Sequence, residues 1–397
     1  MTFSATTRDG LASLAFYFSV SFSFTLVTAE LLPSLFYAVR SVIERVCALS
    51  LYLPPFRGDV NGMEEDDSVT ALIGGAGLSS VALASFVSAS FASCAWLLSP
   101  PSRRVPSSYY KKRPRRFFLT GCASGMGRHL ALCLLKRGHF VCATDINENA
   151  LVEAFSEFTS DSSSRVIVQR LDVRSADQWQ AALASCANAW GGLDCVMNIA
   201  GCLCPNKIQN ATVGEIDIQI DVNVKGVVFG TKYGAEIMQN QAERKDFHGG
   251  HIINFSSMAA TGTVSGVTLY AASKFACRGF SLAASKDLFD ETGVAVTCFM
   301  PDAVQTPMVD MQLHYDDAAM AFSGDILTLK DVENCILGRV IQERPVEVWL
   351  SSRARVARFG DIFGASRAVQ MAERIMKSIG RRRQKRIKEG MRTCTED

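Results

Sequence analysis

Tyr270 and Lys274 stand four residues apart in Tyr270-Ala271-Ala272-Ser273-Lys274, and on a helix that spacing puts both side chains on one face. A phenol with an ordinary pKa of about 10 is a poor base near neutrality. An ammonium one turn away favours the tyrosinate and lowers that pKa, so the pair can take a proton from an alcohol or return one to a carbonyl oxygen. Upstream, Ser256 and Ser257 close the apolar run beginning at His251. A hydroxyl there can hold a substrate oxygen and stabilise charge developing on it. Singly, a tyrosine–lysine spacing arises by chance and a serine pair marks a turn; the joint occurrence in one order carries the reading.

A second constellation binds rather than reacts. Thr120-Gly121-Cys122-Ala123-Ser124-Gly125-Met126-Gly127 follows an apolar run and opens a helical stretch. Glycines there allow a tight turn and close approach of a pyrophosphate, and the helix N-terminus offers free amides to the anion. Asp145 closes the next apolar run; a carboxylate at that place accepts from ribose hydroxyls and repels a 2′-phosphate, which favours NAD over NADP. A helix N-cap is the plain alternative for Asp145, and Arg128 nearby leaves NADP open. Asp172-Val173 and Asn198-Ile199-Ala200-Gly201 close the two runs after that. All sit at the C-terminal ends of expected strands, where open parallel sheets bind ligands.

The elements that must position these residues are legible from residue 116 onward. Seven short β-branched or aromatic runs, beginning near Arg116, His139, Arg165, Leu193, His251, Val294 and Val346, alternate with longer helix-compatible segments. That alternation predicts an α/β fold, a Rossmann-like doubly wound parallel sheet with helices on both faces. Residues 116–352 form the expected catalytic domain, 101–115 a basic linker and 353–397 a basic helical tail. Of the 397 residues 48% are hydrophobic, and the excess lies in residues 1–100, the expected membrane-anchor or targeting region.

Within residues 1–100, 11–28 and 68–100 are apolar and uncharged. The second is long enough to cross a bilayer core of about 30 Å, and its Gly, Ala and Ser content suits close helix packing in lipid. Arg103 to Arg116 follow it, and basic flanks stay cytoplasmic, which predicts a catalytic domain facing the cytosol. For 11–28 a cleaved leader is the rival reading. The net charge of +2 gives no reason to expect nucleic acid, and the 13 cysteines and five histidines show no paired spacing for a metal. The cluster Arg381, Arg382, Arg383, Lys385, Arg386 and Lys388 reads as a solvated tail or as a contact for anionic membrane lipid.

The TGxxxGxG spacing at 120–127, together with YxxxK at 270–274, resembles the short-chain dehydrogenase/reductase family over about residues 116–350. The likeness is to the classical-type subgroup and its retinol- and hydroxysteroid-dehydrogenase-like members. The resemblance implies that Ser257, about thirteen residues before Tyr270, is the catalytic serine and that Asn223 holds a water in the proton relay to Lys274. It places Asp172 near the adenine, aligns 198–201 with the family's NNAG signature, and puts Pro301 and Thr306 beside the nicotinamide. After Pro301 the family has glycine where this chain has Asp302. Residues from Thr306 to about Leu327 resemble a mobile substrate lid with Met308, Val309, Met311, Leu313, Met320 and Phe322; packing of these side chains on the core is the plain alternative.

These likenesses imply hydride transfer between a nicotinamide and an alcohol or ketone, and a small lipophilic substrate such as a retinoid, steroid or lipid ketone. The apolar segments with their flanking charges add an expected residence at the endoplasmic reticulum membrane, with organellar targeting the alternative, and a homodimer is left open. The alternative reading is a catalytically silent cofactor-binding regulatory or scaffold protein, for which Asp302 is the one argument.

Overall fold

The expected strands form because their apolar runs are covered on both sides, most completely at the centre of the sheet and least at its edges. In the computed structural model they are β1 (Arg116–Thr120), β2 (Phe140–Asp145), β3 (Val166–Arg170), β4 (Cys195–Asn198), β5 (His251–Phe255), β6 (Ala295–Pro301) and β7 (Glu347–Leu350). Burial is complete along β1, β4, β5 and β6, the pattern of a sheet sandwiched between helices. The structure describes residues 103–106, 109–110, 113–159, 165–241, 249–262, 264–354, 357, 361 and 367–393. The chain divides into two units, 1–100 and 101–397, and the apolar segments 11–28 and 68–100 lie outside the described residues. Among the described residues no helix is long and apolar enough to cross a membrane.

All seven strands are parallel in the order β3-β2-β1-β4-β5-β6-β7. The order reverses between β1 and β4, which opens a crevice beyond their C-terminal ends. The helices are α1 (Gly125–Lys136), α2 (Glu148–Thr159), α3 (Ala176–Trp190), α4 (Val213–Ile220), α5 (Gly226–Gln239), α6 (Thr268–Thr292), α7 (Pro307–Leu313), α8 (Leu329–Cys335) and α9 (Arg367–Thr393). A π-helical turn, Asp221–Lys225, joins α4 to α5.

Alternation along β1 splits the core in two. Phe117 and Leu119 pack with Leu130 and Leu134 of α1 and Val332 of α8. Phe118 faces the other way, onto Trp179 and Leu183 of α3 and Met238 of α5. Each such fully buried side chain contributes roughly 1.5–3 kcal/mol relative to exposure.

The start of β1 is fixed by charge. Asp194, only 1% exposed, accepts from the Arg116 amide at 2.9 Å and from the Arg116 guanidinium at 2.7 and 3.1 Å, with the Tyr109 hydroxyl donating at 3.2 Å. Burial acts to raise the Asp194 pKa, but Arg116 outweighs it and holds the carboxyl below its ordinary value. A depressed carboxyl pKa contributes stability above the unfolded-state value near ~4, and that stability is lost as pH falls through the folded value.

The C-terminal segment keeps Arg381, Arg382, Arg383, Lys385 and Arg386 exposed, as their charge suggests, yet it is held on the domain. Its helix α9 packs along residues 316–322, with Gln384 only 2% exposed.

Replacing Asp194 by Ala strands two buried arginines, and we expect a loss of about 3–5 kcal/mol near neutral pH, read by urea unfolding. The wild-type minus variant difference should shrink as the pH is lowered toward the folded carboxyl pKa. A variant as stable as wild type at pH 7 would contradict the assignment.

Candidate active site

The glycine turn is built by close approach. The Thr120 hydroxyl accepts from the Ile199 and Ala200 amides, both at 3.0 Å, tying the end of β1 to the loop after β4. Gly121 and Gly125 adopt φ of 70° and 54°, left-handed conformations that favour glycine. A Cβ at Gly127 would collide with the Gly121 carbonyl, so glycine there lets α1 sit directly on the turn. Ser124 is the N-cap of α1 without a side-chain capping bond, and the first turn of the helix carries no acidic residue. The result is a helix N-terminus suited to an anion.

Asp145 stands at the end of β2. Its Oδ2 accepts from the Ala123 amide and its Oδ1 from the Asn147 amide, both at 3.0 Å. One bond to each oxygen leaves lone pairs for ribose hydroxyls. Asp172 is held bidentately by Arg174, at 2.6 Å for the shortest bond, and hydrogen bonds from Arg174 hold its carboxyl low against the opposing effect of burial. The Val173 carbonyl accepts from the Trp179 indole at 3.0 Å. Cradle, open carboxylate oxygens and strand-end placement fit a dinucleotide.

Asn198 closes β4 with its side chain turned into the core. That side chain is 2% exposed and its amide donates to Asn254 Oδ1 at 2.8 Å, within a group completed by Thr231 and Ser281. The bond ties the end of β4 to β5. Ala200 and Gly201 do reach the crevice end of the loop.

The reacting end lies beyond β5. Met126, Gly201, Ser257, Tyr270, Lys274, Pro301 and Thr306 all line one cavity of about 220 Å³. The two serines diverge: the Ser256 hydroxyl donates to the Lys274 carbonyl at 2.8 Å and is buried, while the Ser257 hydroxyl accepts from the Ala259 amide at 3.1 Å and is partly exposed. Lys274 is 4% exposed; its Nζ donates to the Phe255 carbonyl at 2.9 Å and lies 5.6 Å from the centre of the Tyr270 ring.

Asn223 sits in the π-helical turn, a distortion often found at functional sites. Its Oδ1 accepts from the Cys202 amide and its Nδ2 donates to the Cys202 carbonyl, both at 2.9 Å, with a further bond to Ser273 Oγ at 3.0 Å. A Cβ at Gly201 would stand 3.2 Å from Asn223 Oδ1 and 3.5 Å from Lys274 Nζ, so the glycine keeps the space beside both of them open. Burial pushes the Cys202 thiol up to about 11, which disfavours a thiolate at that residue.

Asp302, in the place of the expected glycine, is 6% exposed at its side chain and ion-paired with Arg353. Ser351 and the Ala303 amide also donate to it, at 2.5 and 2.9 Å. The charge is therefore neutralised, and Arg353 goes on to donate to the Met320 carbonyl at 3.3 Å and to Ser323. The expected lid divides by side chain. Met308, Val309 and Met320 line the cavity, whereas Val309, Leu313 and Phe322 are also packed in a cluster with Ile387 of α9.

Among the described residues, His129, Cys133 and Glu333 are the group close enough to share a metal ion. The Glu333 carboxylate already pairs with Arg137 at 2.9 Å and Lys330 at 2.8 Å, two cations that oppose a third.

Residues 115–316 match the family model described as short chain dehydrogenase. The chain is 31% identical over 188 residues to an uncharacterized oxidoreductase of Staphylococcus aureus (strain MRSA252), covering 47% of this chain and 77% of that protein. An uncharacterized oxidoreductase of Staphylococcus saprophyticus is 30% identical over 190 residues, covering 48% and 78%. Among solved structures, a short chain dehydrogenase/reductase from Burkholderia phymatum in complex with NAD superposes with a TM-score of 0.54 at 23% identity, over 62% of this chain and 91% of that one. Levodione reductase does so at 0.54 and 19%, over 61% and 98%; at these identities the likeness establishes the fold. The chain belongs to the short chain dehydrogenase family.

Arg353, Val369 and Met376 line the same cavity and were not anticipated. For α9 the signal was present in the spacing of Val369, Ala372, Met376, Gly380, Gln384 and Ile387, one face of a helix; for Arg353 there was none.

We expect Arg353→Ala to destabilise by about 3 kcal/mol or more because it strands the Asp302 carboxylate. Asp302→Gly combined with Arg353→Ala should recover much of that loss. Chemical unfolding of the single and double variants measures the coupling, and strictly additive effects would contradict the pairing.

Proposed function

We propose that this oxidoreductase interconverts an alcohol and a ketone with NAD as cofactor, on a lipophilic substrate. The observation that carries the reading is the convergence of Ser257, Tyr270 and Lys274 on one cavity that also meets the glycine turn at Met126. When bound, the nicotinamide supplies the hydride acceptor or donor. Thr120, Gly121, Ser124, Gly125, Met126 and Gly127 would hold its pyrophosphate, Asp145 the ribose and Asp172 with Val173 the adenine side. Ala200, Gly201, Pro301 and Thr306 would line the nicotinamide end.

Tyr270 is the proton donor to a carbonyl oxygen and the acceptor from an alcohol. Lys274 brings its ammonium to 5.6 Å from the centre of the Tyr270 ring. Ser257 donates to the substrate oxygen as charge develops. Asn223 fixes the loop at Cys202 and borders the space beside Lys274, the place for a relay water. The lipophilic preference rests on Met258, Met308, Val309 and Met320 in the lining, since methionines adapt to apolar ligands. Attachment to the endoplasmic reticulum membrane with this domain in the cytosol rests on the uncharged length of 68–100 and its basic flank.

Tyr270→Phe should lower turnover by at least the ~10²–10⁴-fold typical of general acid–base catalysis while cofactor affinity stays near wild type. Near-normal turnover in steady-state assays over a panel of ketones would remove Tyr270 from the role. Asp145→Ala should weaken NAD and improve NADP, because the ribose acceptor and the repulsive charge go together. Titration of cofactor fluorescence checks this, and a wild type that strongly prefers NADP would contradict it.

A further inference from the structure

The cavity that holds Ser257 and Tyr270 does not end at residues 115–316, which match the family model. Its outer side is closed by Val369, Ala372 and Met376 of α9, with Glu373 beside them, and α9 lies beyond the residues that match the family model. We propose that α9 is a built-in wall of the substrate site, shaped to receive an apolar chain on the reacting carbon. The proposal rests on the hydride-transfer reading above.

The docking of α9 is specified by several independent contacts. The Gln384 amide donates to the carbonyls of Gln312, Leu313 and Tyr315 at 3.1, 3.0 and 3.0 Å. The first two carbonyls belong to the last turn of α7, where a helix leaves acceptors short of intrahelical donors, and the third lies two residues past it. Gly380 is buried against residues 316–322, and a Cβ there would collide with the Ala319 carbonyl. Arg383 donates to the Gly324 carbonyl at 2.6 Å, Lys388 pairs with Asp316 at 3.1 Å and Lys377 donates to Ser265 at 2.7 Å. Ile387 packs with Val309, Leu313 and Phe322.

These contacts tie the C-terminal half of α9 to the lid, while its N-terminal half reaches the cavity. The helix divides its labour by face. Val369, Ala372 and Met376 turn to the cavity, Gly380, Gln384 and Ile387 to the lid, while Met371, Ile375 and Ile379 are 65%, 52% and 45% exposed. With Leu203, Val267 and Met308 opposite, the space between Tyr270 and Met376 is bounded mainly by carbon and sulfur. Burying a chain there draws on apolar transfer, and a pocket of this kind discriminates by size.

The test uses the full chain with saturating NAD or NADH, and 2-butanone, 2-dodecanone and 2-hexadecanone as probes. Ligand-induced shifts in Tm report binding without chemistry, and kcat/KM reports turnover. Wild type should be stabilised more by 2-dodecanone than by 2-butanone. Met376→Trp, which fills the outer space, should lower kcat/KM for 2-dodecanone by roughly tenfold or more and leave 2-butanone within about threefold. Met376→Ala, which cannot clash, should shift the preference toward 2-hexadecanone. Equal effects of both variants on short and long ketones, or no Tm shift with 2-dodecanone in wild type, would overturn the wall. A Tm shift that Met376→Trp abolishes, in a protein that turns over none of the ketones, would keep the wall and overturn the proposed reaction.

Discussion

The bond from Lys274 Nζ to the Phe255 carbonyl, 2.9 Å long and buried, sets the register on which the candidate active site depends. It joins the second turn of α6 to the last residue of β5. Tyr270 lies one turn before Lys274 on that helix, and Ser257 lies two residues past the end of that strand. Fixing the ammonium to the strand end therefore fixes the phenol relative to the serine. A second bond, from the Ser256 hydroxyl to the Lys274 carbonyl at 2.8 Å, doubles the tie and spends one serine so that the other can face the cavity. Buried polar bonds of this kind specify position because the alternative leaves each partner unsatisfied.

The parallel sheet supplies the other half of the arrangement. Its reversal between β1 and β4 puts the glycine turn, the loop at 199–201 and the end of β5 along one edge. Thr120 stitches the first two together, and Gly125 lies against Thr306, where an added Cβ would come within 3.3 Å of the threonine methyl. The cofactor cradle and the loop after β6 thus approach each other closely. Asp302 fits this frame because Arg353 meets it. A lone carboxylate at that place would be buried and uncompensated; paired, it fastens the loop after β6 to the end of β7 and to the Met320–Ser323 stretch.

What could be read in advance follows from the range over which the information acts. Strands buried on both faces announce themselves as short apolar runs, and β1, β5 and β6 stand where those runs are. The Tyr270–Lys274 pair is local, so a helix brings it together without help from the rest of the chain. Ser257 was separable from Ser256 only by a resemblance, because the residues themselves allow either to face the cleft. For Asn198 the motif names a residue without stating which face of the strand its side chain takes; one step along β4 inverts that face. The Asp302–Arg353 pair spans some fifty residues and leaves no local trace. In α9 the dense positive charge of 381–388 obscured a helical stripe of small, apolar and amide side chains that the fold buries.

The central claim is that this cleft passes a hydride directly between a nicotinamide and a carbonyl carbon. Incubation of the purified full-length protein with NADH deuterated at C4 of the nicotinamide and a panel of ketones, followed by mass spectrometry of the alcohols, tests it most directly. The account predicts an alcohol carrying deuterium on the carbinol carbon, formed in step with oxidised cofactor. Cofactor that binds while no ketone in the panel acquires the label, or an alcohol whose new hydrogen comes from water, would contradict it.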